Sequence, residues 1–157
     1  MKVFACTLGV YTTELDYFRA LNGEGMIVGA TCSDVAKDIS LSPAPVRDIA
    51  AVITSVAELG FTRPASEQEI FERASQRGWS ICPAEIGFAA RLAYRDQPRG
   101  DICRLAMNPL KNPRDTHTIL VLVSAGVDGR LWLSGYPWRE LATHDPVAKF
   151  IFVDESA

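Results

Sequence analysis

Hydrophobic and polar positions follow two different rhythms along this chain. Residues 2–10, KVFACTLGV, form a short apolar run and predict a strand. Thr12 or Thr13 can cap a helix through about Leu21, with Glu14 and Asp16 in its first turn and Asn22-Gly23 as its stop. Residues 26–32 are apolar but interrupted by glycine. Ser33-Asp34 predicts the start of a short helix, and Pro43 and Pro45 break the chain after it. DIAAVITSV, residues 48–56, is continuously apolar and rich in β-branched side chains, the pattern of a buried strand. Ser66 with Glu69 spells a capping box. It opens an amphipathic helix through Arg77 with Ile70, Phe71 and Ala74 inward and Gly78 as its stop. Residues 79–82 are a short extended piece.

The C-terminal third changes rhythm. DICRLAM, HTILVLVSA, RLWLSG and AKFIFVD read as four strands, and Asp128-Gly129 marks a hairpin between two of them. Helices segregated from antiparallel strands predict an α+β fold. The expectation is one domain over residues 1–157. Its N-terminal helices and a central buried helix pack on a mainly antiparallel sheet with a C-terminal β-meander.

The central helix comes from SICPAEIGFAARLAYRDQPRGD, residues 80–101. Pro83 suits a first helical position, and Glu85 follows in the first turn. From Ile86 to Tyr94 the only charge is Arg91, so this helix is apolar nearly all round and predicted to be buried. Gly87 costs helix stability there, which implies close approach of a neighbouring element. Cys82 allows two readings. A thiol at a helix N-terminus can become a thiolate nucleophile, with Glu85 or His117 as base. The plainer reading, an inert buried cysteine at a strand-to-helix junction, is preferred, because nothing in the sequence positions a base or an oxyanion hole.

Charge narrows the function. The chain of 157 residues has a net charge of −3 and a pI of about 5.4, without the basic bias of a nucleic-acid binder. No apolar run approaches the roughly 18 residues of a membrane span. The apolar start reads as a strand rather than a signal peptide, so a cytoplasmic protein is expected. Cys6, Cys32, Cys82 and Cys103 are scattered, and His117 and His144 are the only histidines. Neither a metal site nor any other cofactor is expected from that spacing.

Arg91, Arg95, Arg99, Arg104, Lys111 and Arg114 are concentrated in one stretch, and arginine outnumbers lysine twelve to four overall. The planar guanidinium suits bidentate pairing with carboxylate or phosphate. Arg91 and Arg95, four apart, would share a helix face, with Tyr94, Asp96 and Gln97 lining the same mouth. That arrangement would bind a small anionic molecule or an acidic peptide. The plainer reading pairs these arginines with Asp96, Asp101 and the glutamates of the preceding helix. His117 in THTILVLV reads as a strand-end surface histidine. Tyr136 and Trp138 in SGYPWRE read as an aromatic turn packed over a core edge, or as a partner-binding patch. SAGVDGR lacks the spacing of a phosphate loop.

SVAELGF at 55–61, ICPAEIGFAARLAYRDQPRGD at 81–101 and LAMNPL at 105–110 carry a resemblance. In that order they are similar to a family of small uncharacterised bacterial proteins with SVAELGF, CPAE, LRL-Y-DQP-G and AMEP-type segments. The likeness covers residues 48–110, and Asn108 stands where the family pattern has glutamate. It implies no reaction, cofactor or catalytic residue. A short bacterial reading frame of this kind also resembles a mobile gene-cassette product, such as those of integrons. The functional expectation is a non-catalytic binding module for a small anionic ligand or a protein partner, with a concave site near Arg91, Tyr94 and Arg95 or a homodimer interface built on the sheet. The alternative is a cysteine-dependent hydrolase or transferase centred on Cys82.

Overall fold

A computed structural model describes residues 1–42 and 45–156. The elements run β1 (Lys2–Leu8), α1 (Glu14–Gly23), β2 (Ile27–Val28), α2 (Ala30–Ala36), β3 (Arg47–Ser55), β4 (Ala65–Ser66), α3 (Glu67–Gln76) and β5 (Trp79–Ser80). They continue α4 (Ile86–Ala93), β6 (Ile102–Leu105), β7 (Leu110–Lys111), β8 (His117–Ala125), β9 (Arg130–Pro137), β10 (Thr143–His144) and β11 (Lys149–Asp154).

Local chemistry sets several of these boundaries. The Thr13 hydroxyl accepts from the Asp16 amide at 3.1 Å and caps α1. Ser66 and Glu69 close the capping box of α3 reciprocally, at 3.2 and 3.1 Å. The β8–β9 hairpin turns over Gly126 to Gly129, both glycines at positive φ, with the Gly129 amide donating to the Gly126 carbonyl at 3.2 Å. Two starts differ from the sequence reading. α2 begins at Ala30 with Gly29 as its cap, because the apolar stretch is divided between β2 and the helix rather than ending at Ser33-Asp34. α4 begins at Ile86, after a tight turn in which the Ile86 amide donates to the Pro83 carbonyl at 3.0 Å. Of the two expected breaks, Pro43 lies outside the described residues and Pro45 sits in a bend before β3.

The main sheet runs β1-β3-β11-β6-β8-β9-β2, with β5 on β11 and β7 on β8. It is antiparallel except where β11 meets β6 and β2 meets β9. The helices and this mainly antiparallel sheet make an α+β fold. β6, β8 and β9 form the meander of the C-terminal third, and β11 leaves it to lie between β3 and β6. β11 is therefore covered on both sides. Ile151 and Val153 enter the core beneath α1, α2 and α4, while Phe150 and Phe152 enter the core beneath α3. Each such phenylalanine contributes about 1.5–3 kcal/mol by burial. α4 fills the centre of the first core, with Phe88 stacked on Tyr17 at 4.8 Å between ring centroids. Gly87 allows that fit, because a Cβ there would lie 2.7 Å from Leu120 Cδ1. Among the described residues no helix is long and apolar enough to cross a membrane.

Candidate functional site

The arginines of the 91–114 stretch have different fates. α4 ends at Ala93, where Tyr94 departs from helical geometry, so Arg91 and Arg95 do not share a helix face. Arg91 is 0 % exposed. Its Nη1 donates to Gln97 Oε1 at 2.6 Å, to the Trp132 carbonyl at 3.2 Å and to the Val123 carbonyl at 3.4 Å, and its Nη2 donates to the Tyr94 carbonyl. Burial pulls the guanidinium down to about 10, so it stays a cation at neutral pH. Arg95 pairs with Glu24 at 2.7 Å, and Asp96 with Lys2 at 2.8 Å, both near the surface. The Tyr94 ring is buried against Phe4, centroids 5.6 Å apart, with the Lys2 ammonium 5.0 Å from its centroid. These five side chains, Arg91, Tyr94, Arg95, Asp96 and Gln97, do not line one mouth.

Two of them instead begin an internal chain of hydrogen bonds. Gln97 Nε2 donates to the Leu122 carbonyl at 2.9 Å and to Asp101 Oδ2 at 3.2 Å. Lys149 Nζ donates to Asp101 Oδ1 at 2.7 Å, and the Cys103 thiol donates to Oδ2 at 3.3 Å. Burial acts to raise the Asp101 carboxyl, but the bonds from Lys149, Gln97 and Cys103 outweigh it and hold the group below its ordinary value. The chain Arg91–Gln97–Asp101–Lys149 thus runs from the core beneath α4 towards the β6–β11 edge of a surface groove.

The Cys82 thiol is buried and donates to the Ile151 carbonyl at 3.2 Å. Burial raises its pKa well above the ordinary thiol value, so it remains protonated. Glu85, only 2 % exposed, accepts from the Ser42 amide at 2.7 Å and from the Ser42 hydroxyl. His117 is exposed at the start of β8, its ring edge-on to Trp138 at 5.7 Å. Cys82, Glu85 and His117 therefore lie in three different surroundings. All four cysteines are free and buried, and among the described residues no cluster of His, Cys, Asp or Glu is placed to hold a metal ion.

The open groove lies on the other face of the meander. Its centre is Arg104, which stands opposite Phe150 in the β6–β11 register. Among the described residues none forms a hydrogen bond or ion pair with the Arg104 guanidinium. Arg104, Thr143 and His144 are common to two adjoining cavities of about 410 and 340 Å³. The larger carries Asp101, Asp145 and Lys149, and the smaller carries Glu67, Ile119, Tyr136, Pro137, Trp138 and Arg139. A third cavity, about 580 Å³ between α1 and α4, has Arg95 and Glu24 as its charges, and these already neutralise each other.

Long-range pairing assembles the groove. Thr143 and His144 of β10 pair with Ser66 and Ala65 of β4, which brings the 138–148 segment against the first turn of α3. Glu67 opens that turn. Its Oε1 accepts from Trp138 Nε1 at 3.2 Å, and its Oε2 lies 3.8 Å from His144 Nε2. The imidazole packs edge-on against Phe150 at 5.0 Å. The sequence flagged Arg104 within the arginine cluster and Trp138 within the aromatic turn, without joining them. It carried no signal for Glu67 and His144, which meet only through the β4–β10 pairing. Period-two reading of ICRL held one usable signal: Cys103 and Leu105 are buried, so Arg104 faces the less covered side.

Comparison of the chain with protein families, with curated proteins and with solved structures finds no match.

Proposed function

We propose that this chain is a non-catalytic binding module whose ligand is a small anion held at Arg104. One observation carries the reading: a half-buried guanidinium, without a partner among the described residues, at the junction of two cavities. A partly desolvated charge gains most from an opposite charge that reaches it with hydrogen bonds. Two of the three carboxylates that line these cavities are engaged elsewhere, Asp101 with Lys149 and Glu67 with Trp138, and Asp145 makes no ion pair with Arg104. The four free cysteines suit a reducing compartment, and we place the protein in the cytoplasm.

Titration calorimetry with inorganic phosphate tests the site. Binding to the native chain should weaken about tenfold or more in Arg104→Gln, the scale of a charge-assisted hydrogen bond. Arg95→Gln, which breaks only the exposed pair with Glu24, should leave it unchanged. Phosphate affinity that is indifferent to Arg104→Gln would sink the reading.

A further inference from the structure

We infer that the ligand of this groove is an aromatic anion, a planar ring carrying a phosphate or carboxylate. The inference rests on the Arg104 site proposed above and names what lies beside the anion. The smaller cavity is walled by Tyr136, Pro137, Trp138 and Ile119, and it shares Arg104 with the larger one. Its volume of about 340 Å³ falls at the lower end of small-molecule sites. A bare inorganic anion on Arg104 would leave that apolar wall wet.

The wall is also held in place. The Trp138 indole N–H is fixed by Glu67 at 3.2 Å, its backbone N–H donates to the His117 carbonyl at 2.9 Å, and the His117 ring abuts its edge. A pre-positioned indole presents a ring-sized surface whose ordering cost has already been met in the free protein. The Glu67 carboxylate on the same lobe repels an anionic end, so the ring enters it and the charge stays at Arg104. The larger cavity, with Asp101, Lys149 and Thr143, is polar and takes any hydroxylated remainder of the ligand.

The test compares phenyl phosphate, inorganic phosphate and benzyl alcohol by titration calorimetry on the whole chain. Phenyl phosphate should bind about tenfold or more tightly than inorganic phosphate, the increment expected from burying one ring. Trp138→Leu should erase that advantage, while Arg104→Gln should weaken both. If Trp138→Leu does not fold once its bond to Glu67 is gone, Tyr136→Leu tests the same wall. Equal affinity for the two phosphates, both lost in Arg104→Gln, would overturn the ring inference and keep the anion site. Equal affinity for phenyl phosphate and benzyl alcohol, indifferent to Arg104→Gln, would overturn both, as would no binding at all.

Discussion

Arg91 and Arg104 belong to one arginine-rich stretch, yet they are opposites in the folded chain. Arg91 projects from the buried part of α4 and is wrapped by three backbone carbonyls and one amide oxygen. Arg104 projects from a strand covered on one side and has its hydrogen bonds still to make. Proximity in sequence therefore says little about whether a charge is available. The coverage of its element decides that: a buried guanidinium is engaged by internal acceptors at both of its Nη atoms, and half coverage leaves a charge both desolvated and open.

The contrast predicts unequal costs on removal. Arg91→Leu leaves the Tyr94 carbonyl and the Gln97 amide oxygen unpaired and removes a second donor from the Val123 and Trp132 carbonyls of the β8–β9 ladder, and should lower stability by about 3–5 kcal/mol. Arg104→Gln should change stability by no more than about 1 kcal/mol. Urea unfolding of both variants measures the difference, and equal midpoints would erase the distinction.

Asp101→Asn sharpens the comparison, because Asp101 joins the internal chain to the groove. Its expected cost is about 1–3 kcal/mol at neutral pH. The folded-state carboxyl lies below its ordinary value, so its contribution is present above the unfolded pKa of about 4 and is lost as pH falls through the folded value. Lys149 is raised, chiefly by its hydrogen bond to Asp101. That contribution is present below the ordinary lysine value and is lost as pH rises through the raised one. The gap between native and Asp101→Asn stability should thus be widest between these limits and close at both extremes of a pH series.

The smallest effect concerns Cys82. With its thiol buried and protonated, alkylation in the folded state should be negligible at pH 8, and the slow labelling that remains should follow unfolding. Rapid labelling of Cys82 under native conditions would restore the helix-start nucleophile.

Much of the scaffold was legible because it is written locally. The Ser66–Glu69 box, the Thr13 cap, the strand in DIAAVITSV and the glycine-bounded hairpin each depend on neighbours a few residues away. The burial of α4 was also legible, since only Arg91 interrupts its apolar surface. The place of that arginine was not. Four-residue spacing to Arg95 suggested a shared face, but the helix stops at Ala93, and the carbonyls that hold Arg91 come from β8, β9 and Tyr94. The groove was legible only in pieces for the same reason. Glu67, Arg104, Trp138 and His144 lie on separate elements, and sheet pairing, which sequence does not spell, brings them together.

The position of β11 bears on how this chain is made. Among the described residues it is the sole seam in the sheet between the β1–β3 pair and the β6–β8–β9 meander. On a ribosome the β1–β3 pair is made well before the meander, and both are made before the strand that joins them. Each must wait with an unmatched edge while the remaining residues are synthesised. Closure of the sheet therefore waits for β11, and a nascent chain stalled before Lys149 should expose two sticky borders to chaperones instead of one finished surface.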